Sequence, residues 1–573
     1  TTTGGTGGTT TGGTGGTTTG GTGGTTTGGT GGTTTGGIGG TTTGGTGGIT
    51  TGGTGGITTG GTGGTTTGGT GGTTAGSTTS PSTGGTTVPS TGGASLVKDP
   101  VPTSELTCSV PASSQVAVGI NSSKVLRSKV PADMFGFTTD WFLFQSAYFR
   151  MGKVRPEIVD YMKPFKGAVY RYTGGNAFLW SNSVGPITAR QKIWANYFWR
   201  YPEFGPNEFF DFLDEVDGKA VMLMNVVGEN KWDSAQIASE NLGYMSWLQK
   251  NRPGCVSGTN CRIHSFELGN EVDWETGIRW SPEHYVDQLT PLIKQAKARF
   301  PGVKLAVVGK TAPWDKDRAN YDETVAPKLA KLVDEVTIHP YYDGMSINSM
   351  RLYIEKVAKI YNAYNPNVKV LVTEHGRWPS ASMESIDSMI QASGASGALS
   401  TADFNLMTII NSSVSGSMWH SFSAASPWQL FHLNKATDEI YPSAIYWSMR
   451  TLREGFLDDA VEVTPTTISG TSYVGGYDTK FVAMKGNTGS VSLLGVNRGT
   501  QPRVFNISSA NETFANSVVR INVTPVGESN TTYNTATEPD KIHMKQYETR
   551  YTSGTPLQLC IPARSVFSVV INK

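Results

Sequence analysis

Eight short apolar runs organise the middle of the chain, most of them separated by stretches with helical spacing. They are MFGFT near Met134, GAVYRY ending at Tyr172, AVMLMNVV at 220–227 and IHSFELGNE at 263–271, then VKLAVVG at 303–309, DEVTIHP at 334–340, VKVLVTE at 368–374 and VSGSMWH at 414–420. Runs of this length bounded by turn signals read as buried strands. SPEHYVDQLTPLIKQAKARF and NSMRLYIEKVAKIYNAY, between runs, place apolar residues every three to four positions and predict helices. The first opens with Ser281 as N-cap and Pro282 at the first helical position. Strands alternating with helices imply a parallel sheet, and eight such units predict an α/β fold with a (β/α)8 TIM barrel over 131–445. An open doubly wound sheet is the competing arrangement, but no glycine-rich phosphate loop follows the first run.

The pattern changes after about Tyr446. VSLLGVNRG, RVFNIS, VVRINVTPV and SVFSVVINK are short alternating strands with turn residues between them. They predict an antiparallel β-sandwich over 446–573. LTCSVPASSQVAVGI, within 98–130, is strand-like as well, and its strands are expected to join that sandwich.

Residues 1–97 have no such pattern. Residues 1–72 are nine copies of the octad TTTGGTGG, with Ile at Ile38, Ile49 and Ile57, and no charge precedes Lys98. A Thr/Gly tract cannot bury a core to offset its chain entropy, so a disordered linker or stalk, O-glycosylated on Thr, is expected. The competing reading is a self-associating repeat, because Thr favours strands and uncharged periodic strands stack. Either form provides a tether to a wall or matrix.

Composition narrows the partners. The 573 residues carry 46 basic and 45 acidic side chains, a net charge of +1, which argues against nucleic acid or a membrane surface. No apolar run is long enough to span a membrane. The chain starts without Met or a signal peptide, as expected of a processed chain or a fragment. Cys255 and Cys261 bracket a short loop, and Cys108 and Cys560 lie near the two ends of the folded part. Two disulfides in an oxidising compartment fit this even number, against four buried thiols as the alternative. A Cys108–Cys560 pair would staple the ends of the folded region. Six N-x-[ST] sequons, at Asn121, Asn411, Asn506, Asn511, Asn522 and Asn530, fit a secreted glycoprotein. No metal or other cofactor is expected. Cys and His lack ligand spacing, and His264 and Glu267, three apart on a strand, face opposite sides.

The candidate chemistry sits at strand ends. Run four ends in Glu271 and run seven in Glu374. In a barrel both face the end where active sites lie. Two carboxylates across a cleft are what glycoside hydrolysis requires, one as proton donor and one as nucleophile or base. The nucleophile needs a cation and hydrogen-bond donors nearby, which Arg171, His339 and Tyr341 can supply. Asn225, ending run three, is a candidate for a sugar hydroxyl or a helix cap. Trp419, ending run eight, and Trp378, in the loop after run seven, are candidates for stacking on a sugar ring, with Trp428 and Trp141 behind them. For each, packing in the core or rim is the alternative. His375, next to Glu374, should point away, and Glu267 should face into the barrel and be paired there.

Asn-Glu ending strand four and Glu ending strand seven resemble the clan of retaining (β/α)8-barrel glycosidases with a trailing sandwich. YRYTGGN (170–176) is similar to the Arg-Tyr-Pro-Gly-Gly-Asn of the α-L-arabinofuranosidases, with Thr173 in the place of Pro, and LGNEVDW is similar to their Leu-Gly-Asn-Glu-Met-Asp. Around the nucleophile, TEHGRWP stands where that family has Glu-Trp-Asn. Heparanase-like β-glucuronidases also carry Gly-Asn-Glu with a sandwich. The resemblance implies Glu271 as acid/base and Glu374 as nucleophile. It also makes Asn270 a partner of the substrate 2-hydroxyl, Arg171 the group that keeps Glu374 ionised, and Asn176 a substrate contact. The expectation is a secreted retaining glycosidase acting on a polysaccharide or oligosaccharide, against a non-catalytic carbohydrate-binding or wall protein on the same scaffold.

Overall fold

In the computed structural model, the described residues are the Thr and Ile triplets of the repeat, Leu106, Cys108 and residues 115–572. Within that last span, 141–147, 151, 174–177, 196–197, 229–230, 253, 255, 257–260, 276, 314, 344, 384, 423–425, 512 and 553–555 are not described. The chain forms two compact units, Thr1–Ala94 and Ser95–Lys573.

In the larger unit, all eight apolar runs form strands: β1 (Gly136–Asp140), β2 (Val169–Thr173), β3 (Lys219–Met224), β4 (Ile263–Leu268), β5 (Leu305–Val308), β6 (Glu335–Ile338), β7 (Lys369–Arg377) and β8 (Val414–Trp419). Each pairs in parallel with the next, and β8 pairs with β1, so the barrel closes. Alternate residues face opposite ways along a strand. Val169, Val221, Ala306, Leu371 and Met418 form a small buried cluster of their own. Their neighbours Tyr170, Met222, Val307 and Trp419 belong to the larger core shared with the helices. This is the two-layer packing of a TIM barrel, with one cluster inside the strands and one outside them. The helix Pro282–Arg299 starts as expected, the Ser281 hydroxyl accepting from the His284 N–H.

The strand Gln115–Arg127 does join the C-terminal sheet. It lies between Asp459–Thr464, antiparallel, and Arg503–Ser509, parallel, in an otherwise antiparallel ten-stranded sheet. Lys545–Arg550 and Leu557–Ile561 end the strand order, yet their Tyr547 and Leu559 share one core with Phe481, Phe505 and Phe567. The sheet therefore curls over a common interior, as a sandwich does. A disulfide joins Cys108 to Cys560, with Cα atoms 5.7 Å apart. Cys255, and with it the expected Cys255–Cys261 pair, lies outside the described residues.

The helix Ala395–Ile410 is buried along nearly its whole length and packs against both barrel and sheet. Its fully buried Asp403 accepts from Lys480 Nζ at 2.9 Å and from the Tyr477 hydroxyl at 2.6 Å, and Arg498 Nη1 lies 3.3 Å away. All three partners come from the sheet side of this contact. The final barrel helix, Ala444–Glu454, continues past residue 445, and the sheet resumes at Asp459.

The repeat departs from the disorder expected of it. Nine of its triplets and Thr2–Thr3 are short strands, and each pairs in parallel with the triplet two octads on, as Thr2 with Thr18 and Thr9 with Thr25. Odd and even triplets build two five-stranded sheets. The composition argument weighed only buried side chains. Near-identical, largely β-branched triplets at a fixed 16-residue spacing instead satisfy one another's backbone groups in register.

Among the described residues, no helix is long and apolar enough to cross a membrane. Of the sequons, Asn511 and Asn530 are exposed, whereas Asn522 is fully buried in a strand and Asn411 is also buried, so these two cannot carry a glycan.

Candidate active site

Gly269, with φ at +101°, turns the chain sharply as it leaves β4. Glu271 follows at φ +44°, a left-handed conformation that is uncommon for a residue with a side chain. Strain of this kind concentrates at functional sites. Glu271 Oε1 lies 2.6 Å from His339 Nδ1, just beyond the end of β6.

Glu374 reaches the same space by a different device. The β7–β8 register slips between Val372 and His375. A bulge of this kind re-aims side chains. Thr373 and Glu374 are consecutive, yet both bond inward: Thr373 to Glu267, and Glu374 to Arg171 and Tyr341. His375 turns outward, stacks on Phe404 and meets the Tyr342 hydroxyl at 3.2 Å. Burial pushes its pKa down to about 3, so it is a neutral packing residue.

Arg171, fully buried on β2, divides its guanidinium three ways. Nη1 donates to Glu374 Oε1 at 2.6 Å, Nη2 to Asn270 Oδ1 at 2.6 Å and Nε to Glu267 Oε2 at 2.5 Å. The Tyr341 hydroxyl donates to Glu374 Oε2 at 2.8 Å, and Nδ1 of His339 and of His420 lie 3.7 Å and 3.6 Å from that oxygen. Burial alone would raise the pKa of Glu374. The charges of His339, His420 and Arg171 and the Tyr341 hydrogen bond outweigh it and hold the carboxyl well below the ordinary glutamate range. One oxygen of Glu271, one of Glu374 and a ring nitrogen of His339 lie within 4.8 Å of one another. That suits a retaining pair, whose carboxyls sit about 5–5.5 Å apart. The same three groups are spaced to ligate a cation, but Arg171 already supplies a buried positive charge behind Glu374.

A cavity of about 570 Å³ opens above the two carboxylates, walled by Trp274, Tyr341, Met345, Trp378, Met383 and Trp428. Gly376 admits Trp428, since a Cβ there would sit 2.9 Å from the indole. Trp428 lies against Tyr341 and Trp378, with ring centroids 5.0 and 5.6 Å away.

No family model matches the chain. An α-L-arabinofuranosidase of Thermotoga maritima in complex with arabinose superposes with a TM-score of 0.65 at 14 % identity, covering 80 % of this chain and all of that one. A family 51 α-L-arabinofuranosidase of Bifidobacterium longum does so at 0.65 and 16 %, covering 80 % and 99 %. This chain has the fold of the α-L-arabinofuranosidases. An intracellular exo-α-(1→5)-L-arabinofuranosidase of Streptomyces lividans is 25 % identical over 210 residues, 33 % of this chain. The match spans 30 % of that relative's length. The clan resemblance read from the strand-end motifs is therefore matched in three dimensions.

The structure brings Glu271, Glu374, Arg171, Asn270, His339 and Tyr341 together and puts Trp378 on the cavity wall. It does not bring Asn225 or Trp419 there. The Asn225 amide donates one hydrogen to the Phe178 carbonyl and its oxygen accepts from the Val227 and Gly228 N–H groups, so the buried side chain braces its own loop and does not line the cavity. Trp419 is fully buried in the core outside the strands. Strand parity explains this. Met418 faces the barrel interior, so the next inward position, just past the end of β8, is His420, which the sequence reading passed over. Asn176 and Trp141 lie outside the described residues. Trp274, three residues past Glu271, was also missed, as were Met345 and Met383. Only Trp274 carried a signal, being an aromatic in the loop that follows Glu271.

Proposed function

We propose that the chain is a retaining glycoside hydrolase acting on a neutral glycan, with an α-L-arabinofuranoside as the first substrate to test. The observation that carries this is the pair of strand-end carboxylates, with oxygens within 4.8 Å and one of them held ionised by His339, His420 and Arg171. In the first half-reaction Glu374 attacks the anomeric carbon while Glu271 gives its proton to the departing oxygen. In the second, Glu271 takes a proton from water, whose oxygen bonds to the anomeric carbon and releases Glu374 as carboxylate. Asn270, fixed by Arg171, stands beside Glu271 to meet the 2-hydroxyl.

The cavity supports a neutral sugar over a uronide. Among the described residues lining it, none is Lys or Arg, and Arg171 beneath has its Nε and both Nη atoms engaged. Its aromatic walls suit the apolar face of a ring. A secreted enzyme working on polysaccharide fits the Cys108–Cys560 disulfide, which persists in oxidising compartments, and the repeat would serve as its wall or matrix tether.

The test is a hydrolysis screen of the full chain on aryl arabinofuranoside, xyloside, glucoside, galactoside and glucuronide, each beside Glu374→Gln. Turnover that vanishes in the variant supports the reading and names the sugar. Polysaccharide binding without turnover on any substrate favours the non-catalytic scaffold.

A further inference from the structure

The hydrogen bonds beneath the two carboxylates have only one consistent direction. Glu267, fully buried, is ion-paired to Arg171 through Oε2 and so can only accept. Its Oε1 lies 2.7 Å from Thr373 Oγ1, so the Thr373 hydroxyl spends its single proton there. Thr373 Oγ1 also lies 3.0 Å from His339 Nε2. With its own proton committed, this oxygen can only accept, so Nε2 of His339 carries a hydrogen whatever the charge on the ring. Nδ1 is thereby left to the carboxylates, 2.6 Å from Glu271 and 3.7 Å from Glu374.

We propose that Thr373 is a positioning residue, which through Glu267 pins the Nε2 proton of His339 and so makes one imidazolium the shared counter-ion of Glu271 and Glu374. The inference rests on the glycosidase reading for its use, not for its hydrogen-bond logic. In that cycle exactly one of the two carboxyls is ionised at each resting stage. Before glycosylation it is Glu374, with Glu271 holding the proton it will donate. In the glycosyl-enzyme Glu374 is an ester, and Glu271 has become the carboxylate. A cation within reach of both can follow the negative charge from one to the other without moving or losing its own proton. Arg171 cannot do this, because its hydrogen bonds go to Glu374, Glu267 and Asn270 and none reaches Glu271.

The groups facing His339 agree. Glu271 and Glu267 come from the end of β4, Glu374 from β7, Arg171 from β2 and His420 from the end of β8. Burial disfavours the charged ring, but the two catalytic carboxylates outweigh burial and the opposing Arg171, and raise its pKa above the ordinary histidine value.

The test is a 15N NMR titration of the full chain labelled at histidine, with the His339 signals assigned by their loss in His339→Gln. The expected result is protons on both His339 nitrogens at pH 7. In Thr373→Val, which removes the acceptor, the ring should become neutral about one to two pH units lower. Thr373→Ser, which keeps the hydroxyl, should restore the wild-type titration. The alkaline limb of kcat/KM on the substrate found by the screen should move down in step in the valine variant and recover in the serine one. A wild-type ring with a bare Nδ1 at pH 7 overturns the proposal even if Thr373→Val does not fold. A valine variant that titrates like wild type overturns it as well. The titration needs no substrate, so absence of glycoside turnover would strike the functional reading separately.

Discussion

Arg171 and Glu374 meet through a 2.6 Å Nη1–Oε1 bond at the carboxyl ends of β2 and β7, 203 residues apart in sequence. The same guanidinium holds Asn270, next to Glu271, so one side chain sets the position of both halves of the proposed catalytic pair. Lysine would keep the charge but not the three-way fork. Arg171→Lys should lower kcat/KM by roughly 10²–10³, the loss of one or two charge-assisted hydrogen bonds. The sign of the pH effect follows from the role proposed for Glu374. A nucleophile acts ionised, and the pKa of Glu374 is held low, so a weaker cation contact raises that pKa. The acidic limb of the kcat/KM profile should therefore move to higher pH.

Trp378 is 44 % exposed and packs edge-on against Tyr341, with centroids 5.3 Å apart. It is placed to stack on substrate without touching either carboxylate. Trp378→Ala should raise KM about tenfold, from the loss of about 1–1.5 kcal/mol of aromatic contact, and change kcat less. Steady-state kinetics on an oligosaccharide would read this directly.

His264 lies at the opposite end of the barrel, 2.8 Å from Glu335 and 3.4 Å from Asp133. Burial lowers its pKa, but the two acids more than reverse this and bring it to about 10. The folded value is above the unfolded one of about 6.5. Its contribution to stability is thus complete below about pH 6.5 and is lost as pH rises through about 10. His264→Gln should lower Tm clearly at pH 6, and the gap from wild type should narrow between pH 7 and 10. Asp133 and Glu335, held below the usual carboxylate range, lose their contribution on acidification instead.

Asp403 is the buried negative charge in the contact between helix and C-terminal sheet. Asp403→Leu would leave Lys480 and Arg498, whose side chains are 13 % and 11 % exposed, without their shared partner. A loss of about 3–5 kcal/mol is expected from stranding buried charge, visible as a lower Tm with unchanged kcat for the folded enzyme.

Much of this was legible in the sequence. Strands buried on both faces leave continuous apolar runs, so all eight barrel strands could be read, and a strand end needs no folding to be located. That sufficed for Glu271, Glu374, Arg171, His339 and Tyr341. Two kinds of information were missing. Side-chain direction at a strand end depends on register and bulges, so Trp419 was chosen where His420 faces the site. The wall residues Trp274, Met345 and Met383 come from loops, whose path no periodicity encodes. Asn225 failed for another reason, since an amide that can meet a sugar can equally satisfy its own backbone. For the repeat, composition favoured disorder over the stacked strands that were its alternative, because pairing between like triplets is a property of spacing rather than of composition.

The division of labour between the two glutamates is the central claim, and it can be read by mass spectrometry. Glu271→Ala would be mixed with an activated aryl arabinofuranoside, quenched, digested and weighed. With good leaving groups the first step needs little acid help, whereas the second lacks its base. One sugar residue should accumulate on the peptide containing Glu374, and azide should clear it as a glycosyl azide. If the screen names another sugar, its aryl glycoside takes the place of the arabinofuranoside. A variant that still turns over at the wild-type rate, or that carries the sugar on a different residue, would contradict the account.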